Sequence, residues 1–327
     1  MFKIAIDVMG NDLGIKPALD ALLDFSNKNP NYYFYIVGDK TEIEKYIKTN
    51  SNFEIINNPT VVSLKSNSLL EIKKIDTSMK EGIFLLKDKK VDAFISSGDT
   101  ASLLAYSVLF IKRLENISRP AFMPIFPTTT LNKKFLVLDV GANLEVKPEY
   151  LVNWAKIGKV FSEEILKIEN PRINLLNVGT ESYKGFGWHH EADERLKSEL
   201  PEFYKGFLEP KELMDNSTDI LVCDGYAGNM VLKSYEGAIK SFVSLIKKEV
   251  TKGFIRKLGA LILKQAFRDA KEVLDHRNVG GALIMGLESI VVKAHGSSDK
   301  KAWIGALNQV KMGLENNVIE KMKVALK

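Results

Sequence analysis

The feature that most constrains this chain is a recurring alternation of strand, loop and helix. A short β-rich run, apolar on both faces, ends in glycine and small polar residues and is followed by a stretch with helical spacing. KIAIDV (3 to 8) runs into MGND, and PALDALLDFSNKN follows, with Pro17 suited to a first helical turn. YYFYIVGD (32 to 39) is followed by TEIEKYIKTN, where Thr41 can cap a helix and Glu44 can complete a capping box. Further strands are expected at 52 to 57, 91 to 96, 120 to 126, 134 to 140, 173 to 178 and 219 to 224. Strands without a polar face need cover on both sides, so the pattern predicts a doubly wound α/β fold with a largely parallel sheet covered by helices.

The length of 327 residues and a 45% hydrophobic content are ample for a substantial core. We expect a single domain over 1–327, with no internal repeat or clean linker. Two segments are expected to stand outside the central layers. Residues 66 to 90 have the spacing of helical lid material. Residues 238–275 read as a projecting helical hairpin or one long interrupted helix, with an apolar stripe through Tyr235, Ile239, Phe242, Ile246 and Val250. A second stripe follows Gly253 through Phe254, Leu258, Leu261, Ile262 and Gln265.

The net charge of +5 is too small to indicate nucleic-acid binding. It is concentrated: Ala238 to Arg277 holds ten basic residues against four acidic ones, and the remainder is close to neutral. The single cysteine, Cys223, excludes an intrachain disulfide framework and fits a reducing, cytoplasmic setting. It lies inside ILVCD, where a packing role is expected. Asp7 interrupts the first apolar run, and no stretch free of charged residues exceeds 13 residues, which argues against a secretory signal or spanning helix.

In a parallel sheet, ligands bind beyond the carboxyl ends of the strands, where helix starts present unpaired N–H groups. Here those exits read MGND (9 to 12), SSGDTAS (96 to 102), DVGANLEVKPE (139 to 149), NVGTESYKG (177 to 185), DGYAGN (224 to 229) and AHGSSD (294 to 299). Glycines Gly10, Gly98, Gly225, Gly228 and Gly296 can expose amides, and Ser97, Thr100, Ser297 and Ser298 add hydroxyl donors, a combination suited to an oxyanion such as phosphate. Ordinary capped turns would show the same composition.

Lys184 could neutralise phosphate or a developing oxyanion, or simply be solvated. Asn229 could orient a ligand or cap a helix. The acidic residues Asp7, Asp12, Asp99, Asp139 and Asp224 fix loops or accept substrate hydroxyls. His189, His190, His276 and His295 show no metal-ligand spacing, and His295 is the best functional histidine because it sits at a strand exit. No metal is expected. Neither a phosphate-binding GxxxxGK[ST] loop nor a dinucleotide GxGxxG follows the first strand, so no nucleotide cofactor is implied.

Taken together these segments resemble the bacterial PlsX family, the phosphate:acyl-carrier-protein acyltransferases of phospholipid synthesis. The resemblance rests on IAIDVMGND, SSGDTASLLA, RPAFMPIFPT, DVGANLEVKPEYLVNWA, PRINLLNVGTESYKG, VCDGYAGNMVLKSYEGA and GGALIMGLESIVVKAHGSSD, an ordered series from residue 4 to about residue 310. It departs from the family spelling at Asn11, Asp99, Ala101, Ser102 and Phe186, the last standing where the family usually has Asn.

The resemblance implies a homodimer with a fold related to phosphotransacetylases and isocitrate-dehydrogenase-like enzymes, acting without a cofactor. It implies transfer of a long acyl chain from acyl carrier protein to inorganic phosphate, with the acyl phosphate handed to a membrane glycerol-phosphate acyltransferase. With it, Lys184 and Asn229 are expected to hold reacting oxygens, and Asp224 and His295 to position loops or relay a proton. Asp7, Gly10, Asn11, Ser97, Gly98, Asp99, Thr100, Gly225, Gly228, Gly296 and Ser297 would bind substrate. Loop chemistry alone leaves open a phosphotransacetylase-like enzyme acting on short acyl-coenzyme A, or an idle scaffold binding phosphate ligands or carrier protein. Phe254, Leu258, Leu261 and Ile262 are expected to contact an anionic membrane surface peripherally. The same hairpin could instead pack across a dimer, shelter the acyl chain or meet acyl carrier protein.

Overall fold

The computed structural model describes residues 1–49, 52–61, 73–130, 133–273, 275, 277 and 280–326. His276 and the start of the expected lid, residues 66 to 72, lie outside the described residues. In chain order the elements are β1 (Phe2–Asp7), α1 (Lys16–Lys28), β2 (Tyr32–Gly38), α2 (Lys40–Ile43), β3 (Phe53–Asn57), α3 (Ser78–Lys87), β4 (Ala93–Ser96), α4 (Thr100–Phe110) and β5 (Ala121–Pro127). Then come β6 (Lys134–Leu138), α5 (Pro148–Glu164), β7 (Ile173–Leu176), α6 (Gly187–Glu199), β8 (Tyr204–Leu208) and β9 (Ile220–Val222). The remainder is α7 (Gly225–Val250), α8 (Phe254–Ile262), α9 (Lys264–Val273), β10 (Gly281–Met285), β11 (Ile290–Ala294), α10 (Lys300–Glu315) and α11 (Val318–Ala325).

Two compact units divide these elements. The first comprises Met1–Pro124, Lys156–Glu169 and Arg277–Lys327; the second comprises Ile125–Ala155 and Asn170–His276. In the first, strands run β3-β2-β1-β4-β11-β10-β5, with β3, β2, β1, β4 and β11 mutually parallel and β10 antiparallel to both neighbours. In the second, the end of β5 pairs antiparallel with β6, and β6-β9-β7-β8 are parallel. The largely parallel α/β architecture is therefore present. Two strands, β8 and β10, escape the sequence reading, and β11 is anticipated there only through its exit at AHGSSD.

The first unit closes over Ile4, Ile6, Phe34, Phe94, Val291 and Val292, all buried, and α10, which buries Trp303, Leu307 and Val310, lies against β4, β10 and β11. Residues 78 to 87 correct the lid expectation. They form α3, which lies against β1, β2 and β4 and buries Met79, Ile83 and Leu86. Gly82 permits this approach, because a Cβ there would meet the Phe94 ring at 2.1 Å. Helix α2 is capped by Asp39, which accepts the Glu42 N–H at 3.2 Å, and not by Thr41.

The second unit packs around Phe135 to Leu138, Ile173, Leu175 and Ile220 to Val222. Helix α7 is anchored to its sheet through Tyr235, whose ring meets Phe126 edge-on at 5.6 Å. The chain interrupts the helical run after Val250, and Gly253 at φ +73 lets α8 start in a new direction. Glu249 at the end of α7 accepts a hydrogen bond from Arg256 at 2.9 Å, which staples α8 to it. Residues 238 to 273 thus run through three helical pieces.

Candidate active site

The expected site residues sort into two clusters, one in each unit, each built from the carboxyl ends of three adjacent parallel strands. In the first unit the strands are β1, β4 and β11, and their register sets Asp7 beside Ser96 and Ser96 beside Lys293. The Asp7 carboxylate is buried. It accepts the Ser96 hydroxyl at 2.7 Å and the Met9 N–H at 3.1 Å. Burial pushes its pKa up to about 6, opposed by those hydrogen bonds, by Ser78 and by the charge of Lys293.

Lys293 is itself buried, and its ammonium donates to the Ser97 carbonyl at 3.3 Å and to the Ala294 carbonyl. It ties the exit of β11 to the exit of β4. Ser96 also accepts the Gly98 N–H at 3.0 Å, and Asp99 caps α4 by accepting the Ser102 N–H at 2.9 Å, leaving Thr100 exposed at the first helical position. Asn11 donates to the Ser298 carbonyl at 3.1 Å, Asp12 N–H donates to the Gly296 carbonyl at 2.8 Å, and Gly10 lies against Gly98. His295 and Ser297 are exposed and share a hydrogen bond of 2.8 Å. The Ser97 and Ser298 hydroxyls are buried and have no hydrogen-bond partner among the described residues.

In the second unit the strands are β6, β9 and β7. Asp139, fully buried at the end of β6, accepts both the backbone N–H of Asn143 at 2.6 Å and its side-chain amide at 3.1 Å. The Asn143 carbonyl then accepts the Gly225 N–H at 2.8 Å, so the β6 exit is laced to the start of α7. Asp224 caps α7 by accepting the Ala227 N–H at 2.9 Å, which makes it the helix cap and leaves Asn229 exposed within the first turns beside Gly141. Gly228 must be glycine here: a Cβ would lie 1.9 Å from the Asp139 carbonyl oxygen. Cys223 is buried, its thiol donates to that same carbonyl, and burial pushes its pKa up, which makes it a packing residue.

Lys184 follows β7, the neighbour of β9. Its carbonyl accepts the Asn177 side-chain amide at 2.9 Å, and its ammonium pairs with Glu181 at 2.8 Å, the hydrogen bond that raises its pKa and keeps it charged. Gly185 (φ +99) lets the chain turn back over Asn177 and His189. His189 accepts the Phe186 N–H through Nδ1 at 3.0 Å, and burial pushes its pKa down to about 4. The imidazole is therefore neutral and holds the loop behind Lys184. Asp224 lies close enough for its charge to act on the same ring, so the β7 and β9 exits share one electrostatic environment.

Lysine and asparagine amide groups beside the start of a helix can bind and polarise anionic oxygens. Asn143, Asn177 and Lys293 were not named as site residues from sequence. The one signal available was a lysine inside the otherwise apolar IVVKA. Among the described residues no cluster of three or more His, Cys, Asp or Glu side chains could hold a metal ion.

The sequence profile of the family described as "Fatty acid synthesis protein" matches residues 2–321. The chain belongs to this family. Members include a phosphate acyltransferase of Mycoplasma mobile, 52% identical over 325 residues and covering 99% of both chains. Another is a phosphate acyltransferase of Mycoplasmopsis pulmonis, 50% identical over 326 residues and covering 100% of both. The family is one of acyltransferases, and the chain is an enzyme of that class. Its fold is similar to a phosphotransacetylase from Streptococcus pyogenes, with a TM-score of 0.61, 15% identity and coverage of 98% of this chain and 94% of that one. A branched-chain phosphotransacylase from Enterococcus faecalis gives a TM-score of 0.58 at 14% identity, covering 99% of each chain. The phosphotransacetylase-like fold expected from sequence is thus found.

Proposed function

We propose that this phosphate acyltransferase transfers a fatty acyl group from the thiol of acyl carrier protein to inorganic phosphate. A phosphate oxygen attacks the thioester carbonyl, the tetrahedral oxyanion collapses, the C–S bond breaks, and acyl phosphate and the free carrier thiol leave. The observation that carries the reading is the placement of Lys184 and Asn229 on neighbouring strand exits, in a family whose members are named phosphate acyltransferases.

Lys184 supplies a fixed positive charge to phosphate or to the oxyanion, and Asn229 donates amide hydrogens beside it. Gly225 and Gly228 let the start of α7 approach closely, and Asp224 holds that start in place. In the first unit the turns at Gly10 and Asn11, at Ser97, Gly98, Asp99 and Thr100, and at Gly296 and Ser297 offer amides and hydroxyls to substrate oxygens. Asp7 and Lys293 hold those turns, and His295, exposed and bonded to Ser297, positions the loop that follows β11.

The enzyme acts as a homodimer in the cytoplasm, at the surface of anionic membranes, where acyl phosphate passes to a glycerol-phosphate acyltransferase. Phe254, Leu258, Leu261 and Ile262 support the membrane reading: they are between 51% and 81% exposed on one short helix flanked by Arg256 and Lys257. Among the described residues no helix is long and apolar enough to cross a membrane.

The test is phosphate-dependent release of thiol from a defined acyl carrier substrate, with acyl phosphate detected directly. Acyl-coenzyme A of matched chain length is the competitor. Preference for the carrier supports the reading; turnover confined to short acyl-coenzyme A would replace it with phosphotransacetylase chemistry.

A further inference from the structure

The loop that carries Lys184 exposes three large apolar side chains within nine residues: Val178 and Tyr183 at 76% and Phe186 at 68%. Single exposed hydrophobic residues are ordinary, but this group surrounds the one lysine of the loop. Phe186 is also held in place. Its ring stacks on His189 at 5.7 Å and an interplanar angle of 15°, and on Trp188 at 5.8 Å and 24°. Trp188 and His189 stack on each other at 3.7 Å. The Phe186 N–H is bound by His189 Nδ1, so the backbone beneath the ring is fixed as well.

An aromatic ring that is ordered yet left in water is a preorganised apolar surface. Its distance from the chemistry is short: two peptide units separate Phe186 from Lys184, so their Cα atoms lie within about 8 Å. In the proposed reaction the group bound by Lys184 is polar, and the substituent on the same carbonyl carbon is a hydrocarbon. That hydrocarbon must leave the reacting centre along some apolar surface within this distance.

We infer that the stacked Phe186, together with Tyr183, forms a wall that takes the first methylenes of the acyl chain, making Phe186 a determinant of chain-length preference. The inference rests on the proposed acyl transfer and deepens it. The occupant is the acyl chain and not the thiol-bearing arm, because the acyl chain alone lacks polar groups to satisfy.

The test compares decanoyl- and butyryl-coenzyme A, which share the same thiol arm, in kcat/KM for acyl phosphate formation. Phe186→Asn is expected to lower the decanoyl-to-butyryl ratio by about ten-fold, the contribution of one to two buried methylenes, while Phe186→Leu restores the ratio to within about two-fold. A ratio unchanged in Phe186→Asn, or equal losses on both thioesters, overturns the wall. So does a change in oligomeric mass on sedimentation, which would assign the ring to a second copy of the chain. If the unsubstituted enzyme forms no acyl phosphate from either coenzyme A thioester, the same ratio is read with decanoyl- and butyryl-acyl carrier protein, and absence of acyl phosphate from these as well overturns the acyl-transfer reading, and the wall with it.

Discussion

His189 Nδ1 lies 3.0 Å from the Phe186 backbone nitrogen and accepts its N–H, an arrangement open only to the neutral ring. Burial lowers the His189 pKa from 6.5 to about 4. Between these values the unfolded chain binds the proton and the folded chain does not, so stability rises with pH from 4 to 6.5 and is level above. The effect is about 3 kcal/mol. Denaturant melts at pH 5 and pH 7 should show this slope diminished in His189→Asn, which keeps an acceptor but cannot titrate; an unaltered slope would contradict it.

Asp7 gives the opposite slope. Its pKa rises from 3.8 to about 6, chiefly by desolvation, so between these values the folded state holds the proton more tightly than the unfolded state. Stability from this group is present at pH 4 and is lost as pH rises to 6, again by about 3 kcal/mol. Asp7→Asn should therefore gain on the unsubstituted protein as pH rises from 4 to 7. A constant difference across that range would show that Asp7 titrates normally.

Gly228→Ala places a methyl group where the Asp139 carbonyl already sits, 1.9 Å away. The start of α7 must move, and with it Asn229. Expected are a loss of about 3 kcal/mol in stability and about 100-fold in kcat. Gly237→Ala, exposed in the same helix with open space around it, should instead stabilise by about 0.5–1 kcal/mol. Paired thermal melts and turnover measurements decide; equal effects of the two substitutions would refute the packing account.

Leu258→Glu puts a charge on the exposed apolar face of α8, where Leu258 is 51% exposed. Sedimentation with anionic vesicles should show bound protein falling by about ten-fold while the folded fraction in buffer is unchanged. Equal binding of both proteins would remove α8 from the membrane reading.

Much of the fold is legible because β9 is wholly apolar and β4 is apolar up to its last residue, Ser96, and both run into loop residues, which is what a strand covered on both faces must look like. β8 is hidden because YKGFL carries a lysine and Gly206 at φ +91 on a half-exposed edge strand. β11 is obscured by Lys293, whose burial is compensated only once Ser97, 196 residues away in sequence, is brought to it. Lys184, Asn229 and Asp224 could be picked out because glycines surround them at strand exits. The groups that hold them could not: Asn177 and His189 act through backbone atoms of Lys184 and Phe186, and the neutrality of His189 comes from burial that no local spacing encodes. The lid expectation failed over residues 78 to 87 because an apolar helical stripe looks the same whether it covers a sheet or a substrate.

The central claim is that Lys184 and Asn229 hold the reacting oxygens of an acyl transfer to phosphate. The most direct measurement is acyl phosphate formation by Lys184→Ala and Asn229→Ala, each verified as folded, from an acyl thioester at saturating phosphate. The account predicts that kcat falls by about 100-fold or more in each; near-normal turnover in either folded variant would contradict it.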